Sequence, residues 1–158
     1  MKKLFSLSVL LLFLALATVV MCSDRNRADT QRAHDRFVGA WRLVWLEEPD
    51  ADGKIHKADC NGLLAYTRDG HMSVQVMYRN PPSGPAGPVP YAQGGYEASF
   101  GTYHIDESAH TFIFRVEGAL VRSLIGKDLA RVYELSGNQL IVKSANPNEH
   151  WRVAWEHY

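Results

Sequence analysis

Cysteine is scarce in this chain of 158 residues, in which Cys22 and Cys60 are the only two. If the residues up to Cys22 are removed on export, Cys60 stands alone and no internal disulfide can form. The stability of the fold then has to come from the burial of apolar side chains. A domain of this size can supply that burial without covalent crosslinks.

An excess of either charge is also lacking, because 17 lysines and arginines balance 17 aspartates and glutamates. Proteins that bind nucleic acid or an anionic membrane surface through charge carry a basic excess. The composition therefore favours neither of these partners.

The sequence patterns of common catalytic and cofactor sites are missing too. There is no glycine-rich phosphate loop and no arguable Ser-His-Asp order, and Cys60 has no local signature of a nucleophile. None of the seven histidines falls at a spacing that places two ligands on one face of a short strand. We therefore expect no metal and no cofactor, and covalent catalysis is unsupported.

The first residues carry the features of an export signal. Lys2 and Lys3 precede a mostly apolar run without charged residues at residues 4–21, and small residues near its end suit a signal peptidase. We predict a signal peptide at residues 1–22, a secreted or periplasmic mature protein, and no membrane contact beyond this signal. An uncleaved membrane anchor is one alternative, because a run of this length just spans a bilayer. A lipid anchor at Cys22 is another, although no small residue stands directly ahead of it.

Short β-type runs separated by turn residues fill the rest of the chain, and no long helical pattern interrupts them. An Asp-Gly turn joins residues 62–67 to residues 71–78 and predicts an antiparallel hairpin. The predicted strands are residues 39–47, 62–67, 71–78, 99–105, 111–117, 129–135, 139–143 and 151–156. This series predicts an all-β fold, an eight-stranded antiparallel up-and-down barrel at residues 37–158. The polar residues 23–36 ahead of it are predicted to form a short N-terminal helix.

One long loop interrupts the series of strands. Residues 80–95 contain five of the seven prolines and four of the twelve glycines, so no regular strand ladder can run through them. A loop of this length in a small domain is more often functional than accidental. We predict that it forms a lid over the open end of the barrel.

Several segments match a known pattern of residues. Gly39 and Trp41 form a Gly-x-Trp tripeptide at the start of the first strand, and residues 62–77 read GLLAYTRDGHMSVQVM. Further matching blocks lie at residues 100–103, 116–120 and 131–140. Together these segments resemble the lipocalin-like domain family, which are small calycin-type β-barrels. The resemblance implies an eight-stranded barrel with an internal cavity, in which some related barrels carry hydrophobic molecules and others catalyse cyclisations or isomerisations.

The interior of such a barrel is just wide enough for side chains or one small ligand, and a period of two assigns residues to it. If Trp41 points inward on the first strand, Trp45 and Glu47 do so as well. Residues 71–78 leave two registers open: Met72, Val74 and Val76 form the conventional inward face, whereas the opposite register places polar groups in the cavity. The candidate ligand-binding residues are Trp45, Ser73, Gln75, Met77, Tyr103, Phe114, Arg131 and Tyr133.

Arg131 shares a predicted face with apolar residues, where an unpaired guanidinium would be costly. Glu47 and Glu117 are its expected partners, and the group would anchor a carboxylate, phosphate or carbonyl of a ligand. The alternative is that Arg131 points outward and its alkyl stem covers the barrel wall. The terminal indoles Trp151 and Trp155 are expected to close the core, and the alternative is that they form a platform for a ligand.

Three functions are compatible with this fold. The first is an exported protein that binds a small lipophilic molecule in the barrel cavity. The second is a cofactor-free cyclase or isomerase that acts on a hydrophobic, polyketide- or isoprenoid-like substrate there, with Arg131, Gln75 or Tyr103 stabilising developing charge. The third is a module that binds or inhibits another protein through its loops. The sequence leaves open whether the cavity is catalytic, and it does not indicate the oligomeric state.

Overall fold

The structure, a computed structural model, describes residues 34–80 and 91–158. Within these ranges the strands are β1 (Gly39–Pro49), β2 (Ile55–Lys57), β3 (Cys60–Tyr66), β4 (His71–Tyr78), β5 (Tyr96–Asp106), β6 (Thr111–Ala119), β7 (Asp128–Ser136), β8 (Gln139–Ser144) and β9 (Arg152–His157). A short 3₁₀ helix at Arg122–Leu124 follows β6. No helix in the described part of the chain has the length and hydropathy needed to cross a bilayer.

The N-terminal predictions fall mostly outside the described residues. The predicted signal peptide at residues 1–22 and most of the predicted helix at residues 23–36 are among the undescribed residues. The described end of that segment, residues 34–36, is helical. Residues 37–158 form a compact unit of their own.

The strands form one antiparallel sheet that closes on itself. Neighbours follow chain order from β3 to β9, β1 pairs with β3 on one side, and β9 pairs with β1 on the other. In the closing pair Trp41 lies opposite His157, and Leu46 lies opposite Val153. The short β2 is an addition that pairs only with the end of β1. This arrangement confirms the predicted all-β, eight-stranded antiparallel barrel.

The backbone conformation at Gly39, at the start of β1, has a steric cause. Gly39 has a φ of +141°, and a Cβ at this position would lie 2.2 Å from Nε2 of His157. Only glycine fits such a position without strain. Trp41, two residues further, is buried, and its indole Nε1 donates to the Phe37 carbonyl at 2.8 Å. Gly39 thus makes room for His157, and Trp41 ties the start of β1 to Phe37.

A β-bulge in β1 changes which residues face the interior. The register against β9 shifts between Leu43 and Trp45, so one extra residue enters β1. A shift of one residue exchanges the two faces of a strand. Beyond the bulge Leu46 and Glu48 are buried in the barrel. The prediction that Trp45 and Glu47 point inward is therefore wrong.

Strand β4 keeps the expected alternation. On β4, Met72 and Val76 are buried, as in the conventional register. Ser73 and Gln75 lie on the opposite face, and Met77 on that face is 44% exposed. The alternative with these three residues in the lumen is therefore wrong.

The core is aromatic at the end of the barrel where β1 begins. Phe37 is fully buried, and its ring lies 4.9 Å from that of Tyr133 and 5.1 Å from that of Tyr66. The rings of Tyr103 and Phe112 complete this group at 6.5 and 5.9 Å. The contacts of Phe37 with Tyr133, Tyr66 and Phe112 are edge-on and its contact with Tyr103 is stacked. Both arrangements stabilise beyond the area that they bury. We call these five residues the aromatic plug, because they close this end of the barrel.

Candidate functional site

A cavity of about 70 Å³ lies inside the barrel. Its lining is mostly aliphatic and aromatic, with a few polar side chains among them. The lining residues are Leu46, Leu64, Tyr66, Met72, Val74, Val76, Tyr91, Glu97, Ser99, Phe112, Phe114, Leu129, Arg131, Val142, Trp151, Val153 and Trp155. An apolar cavity with a few convergent polar groups is the usual character of a small-molecule site.

Arg131 is the cation of the cavity. Its side chain is only 7% exposed, and its guanidinium carbon lies 4.8 Å from the ring centre of Tyr91 and 5.1 Å from that of Trp151. Its Nη1 donates to the Ala130 carbonyl at 3.1 Å. Two aromatic faces and a carbonyl thus offset part of the cost of burying the charge.

Glu149 holds the two rings that contact Arg131. Its Oε2 accepts a hydrogen bond from the Tyr91 hydroxyl at 2.5 Å and one from the Trp151 indole Nε1 at 3.1 Å. Burial by itself would raise the pKa of Glu149, but these hydrogen bonds keep it below its usual value. We define the mouth of the cavity as Tyr91, Trp151 and Arg131. The Glu149 carboxylate, which lies outside the cavity, holds the two rings of this mouth in place.

Glu97, near the start of β5, is the carboxyl group of the cavity. Burial raises its pKa to about 7, although the charge of Arg131 lowers it and the carboxylate of Glu48 adds a smaller rise. A carboxyl group with such a pKa can hold or release a proton near neutral pH. Perturbed groups of this kind in clefts are candidates for a functional role.

Two further groups lie near this end of the barrel but do not line the cavity. Buried Glu48 accepts a hydrogen bond from the Tyr78 hydroxyl at 2.7 Å, and burial raises its pKa. Burial also raises the pKa of the Cys60 thiol to about 11, and Glu48 adds to the rise. Cys60 is therefore protonated at neutral pH, which agrees with its lack of a nucleophile signature.

Two hydrogen-bond donors of the cavity lining have no partner. They are the hydroxyl of Tyr66 and the indole Nε1 of Trp155, and both atoms are buried. Burial raises the pKa of Tyr66, and the weaker effect of Arg131 does not reverse this. The hydroxyl therefore keeps its proton and stays a donor at neutral pH.

The structure brings only two of the eight candidate ligand-binding residues to the cavity. Phe114 and Arg131 line it. Tyr103 and Tyr133 are buried in the aromatic plug instead, and the Tyr103 hydroxyl donates to the Thr67 carbonyl at 3.0 Å.

The other four candidates, Trp45, Ser73, Gln75 and Met77, lie on the opposite faces of their strands. Trp45 lies beneath two cations on the outer surface, with the Arg152 guanidinium 5.3 Å and the Lys57 ammonium 5.9 Å from its ring.

The prediction that Glu47 or Glu117 pairs with Arg131 is wrong. Glu47 lies outside the cavity because of the bulge and accepts a hydrogen bond from Arg152 at 2.6 Å. Glu117 is exposed on β6. The alternative that Arg131 points outward is also wrong, since its guanidinium is buried between two rings.

Sequence reasoning missed Glu97, Tyr66 and Tyr91, and it named a ligand platform at Trp151 only as an alternative. Glu97 had a usable signal: it has the same parity as Ser99 and Tyr103, but the predicted strand began three residues too late. Tyr91 carried no such signal, because it follows the proline-rich loop. In the described part of the chain, no group of three or more histidine, cysteine, aspartate or glutamate side chains is placed to hold a metal ion.

This chain is similar to several known proteins. The sequence model of the lipocalin-like domain family matches residues 38–156. A lipocalin-like protein from Bacteroides uniformis has a similar solved structure, with 16% identity, a TM-score of 0.46, and coverage of 78% of this chain and 99% of that one. An uncharacterized protein from Bacteroides eggerthii is similar at 14% identity, with a TM-score of 0.45 and coverage of 77% and 99%. Among curated proteins, none matches this chain.

Proposed function

Because the chain belongs to the lipocalin-like domain family, we propose that it binds a small, largely apolar molecule inside its barrel. The observation that carries the proposal is the apolar cavity with Glu97 and Arg131 among its lining residues. Apolar walls supply affinity by removing ligand surface from water, and a few polar groups orient the ligand.

The size of the cavity limits what enters without rearrangement. A volume of about 70 Å³ is below the ~150 Å³ of an apolar cavity that holds benzene. A larger lipophilic ligand therefore requires the rings of Tyr91 and Trp151 to move, or has to extend between them. Trp151 is partly exposed, so movement at the mouth disturbs less packing than movement at the aromatic plug.

Ligand binding is tested by intrinsic tryptophan fluorescence against a panel of lipids, isoprenoids and tetrapyrroles, since Trp151 and Trp155 line the cavity. The Val76→Phe variant adds a ring on the cavity side of β4 and should weaken binding by about tenfold or more. Met77→Phe is the matched control, because Met77 lies on the opposite face of the same strand. If no member of the panel changes the emission, or if Val76→Phe binds as tightly as Met77→Phe, the proposal fails.

We further propose that the protein acts after export, on the strength of the basic residues and apolar run in residues 1–22. Fractionation of the producing cells, with N-terminal sequencing of the recovered protein, tests this location. A mature chain that begins near Ser23 is expected. Recovery of full-length protein in the cytosol contradicts it.

A second candidate is a cofactor-free isomerase or cyclase, and the pKa of Glu97 favours it. A carboxyl group that titrates near pH 7 can both take and return a proton inside the cavity. Gln75 drops out of this mechanism because it lies on the outer face of β4. Glu97→Gln should abolish turnover of a bound substrate while leaving its binding intact, and unchanged turnover removes this candidate.

The third candidate, a protein-binding or inhibitor module, depends on the loop at residues 80–95. Residues 81–90 lie outside the described residues, as does most of the predicted lid. The described end of the loop places Tyr91 against Arg131 at the mouth of the cavity. This contact is compatible with the lid prediction, which stays a prediction.

A further inference from the structure

The two unpartnered donors of the cavity indicate what kind of ligand atom fits there. Tyr66 is 2% exposed and Trp155 is 1% exposed, and neither the Tyr66 hydroxyl nor the Trp155 Nε1 has a hydrogen-bond partner in the structure. Nearly all buried polar groups in proteins are hydrogen-bonded, because an unmade bond costs free energy. Both residues line the same cavity. An acceptor inside the cavity would satisfy them.

Within residues 34–80 and 91–158, no acceptor lies within hydrogen-bond distance of the Tyr66 hydroxyl. The Tyr66 ring packs edge-on against Phe37, Tyr103 and Phe112 at 5.1, 4.8 and 6.1 Å. The hydroxyl of Tyr103, the one polar group among these three side chains, donates to the Thr67 carbonyl. The rings around Tyr66 thus leave its hydroxyl without an acceptor, and the Trp155 Nε1 is the second buried donor of the lining without a partner among the described residues.

The charges in and near the cavity favour a neutral acceptor. Both unpartnered donors are uncharged groups. Glu97 lines the cavity and Glu48 is close enough to influence it, so an anionic group would meet repulsion from these carboxyls when they are ionised. Arg131 carries a single positive charge, which balances only one of these two carboxylates and leaves no excess positive charge for an anionic ligand. A carbonyl oxygen is neutral and has two lone pairs, so it can accept two hydrogen bonds.

We propose that the Tyr66 hydroxyl and the Trp155 indole N–H bind a carbonyl oxygen of the ligand, which places the ligand among small apolar ketones and related carbonyl compounds. This inference rests on the proposed function and narrows it. The competing occupant is ordered water, because a polar cavity of this size holds a few water molecules.

The test compares two ketones with hydrocarbons of the same shape. The probes are cyclopentanone and cyclohexanone, paired with methylenecyclopentane and methylenecyclohexane, in which a carbon replaces the carbonyl oxygen. Affinities for the purified protein are measured by NMR titration, with wild type compared to Tyr66→Phe. We expect Tyr66→Phe to weaken ketone binding about tenfold relative to hydrocarbon binding, because only the ketone loses a hydrogen bond.

Tyr103→Phe is the matched control. It removes a hydroxyl next to Tyr66 that is already bonded to Thr67, so the relative affinity for ketone and hydrocarbon should stay as in wild type. A second measurement needs no variant of Tyr66. The Trp155 indole N–H resonance, assigned by its loss in Trp155→Phe, should move downfield when wild type binds the ketone but not when it binds the hydrocarbon.

The outcomes separate this inference from the function on which it rests. If both probe types bind but their relative affinity is the same in wild type and Tyr66→Phe, and the indole resonance does not respond to ketone, the donors hold water only and the inference is overturned. If neither type binds to wild type, the inference is overturned, whereas the proposed function is decided separately by the tryptophan fluorescence panel.

Discussion

The pH dependence of folding stability should reveal the buried carboxyl group of Glu97. Burial raises its pKa from 4.5 to about 7. Below pH 4.5 the group is protonated in both the folded and the unfolded chain, so the shift changes nothing there. Between pH 4.5 and about pH 7, Glu97 ionises in the unfolded chain but stays protonated in the folded one. The folded state therefore loses stability as the pH rises through this range. At about 1.4 kcal/mol for each pH unit, the loss is about 3 kcal/mol in total.

Glu97→Gln keeps the shape of the side chain and removes the ionisable proton. Urea unfolding followed by tryptophan fluorescence at about pH 4 and about pH 8 measures the effect as a difference between wild type and variant. Between these two pH values, the free energy of unfolding of wild type should fall by about 3 kcal/mol more than that of Glu97→Gln. Glu117→Gln is the control, because Glu117 is exposed on β6 and should follow wild type. Equal losses in wild type and Glu97→Gln would refute the reasoning.

Three further substitutions test the packing and the placement of Trp45. Gly101→Ala would place a Cβ 1.9 Å from the Arg115 carbonyl oxygen, so β5 and β6 must separate. Urea titration should show that the free energy of unfolding falls by about 3 kcal/mol, or that no folded protein forms. Unchanged stability would contradict this contact. Phe37→Ala removes the centre of the aromatic plug and should cost about 3–5 kcal/mol in thermal unfolding, whereas a cost below about 1 kcal/mol would mean that the plug is loose. Trp45→Ala should leave ligand affinity unchanged, and a clear loss would place Trp45 in the cavity after all.

The strands and hairpins are predictable from the sequence because their signals are local. The Asp-Gly turn between β3 and β4 and the alternation in β4 depend on neighbouring residues only. The bulge in β1 is different: no residue between Leu43 and Trp45 marks it, and it arises where β1 has to pair with β9 at the far end of the chain. The alternation of inward and outward residues along a strand therefore predicts which side chains face the interior only up to a bulge.

The site is less predictable because its groups meet through the closure of the barrel. Arg131 on β7 contacts Tyr91 from the loop before β5 and Trp151 from the segment before β9. No spacing in the sequence relates these three residues. The burial pattern correctly indicates that Arg131 needs a partner, but the choice of aromatic rings over Glu47 depends on the bulge.

The central claim is that this barrel is hollow, and xenon binding tests it most directly. Xenon enters apolar cavities in protein crystals under modest pressure. Diffraction from pressurised crystals should show xenon inside the barrel, within the cavity of about 70 Å³ that Val76, Phe114 and Val142 help to line. A barrel interior without xenon, filled by side chains in the refined structure, would contradict the account.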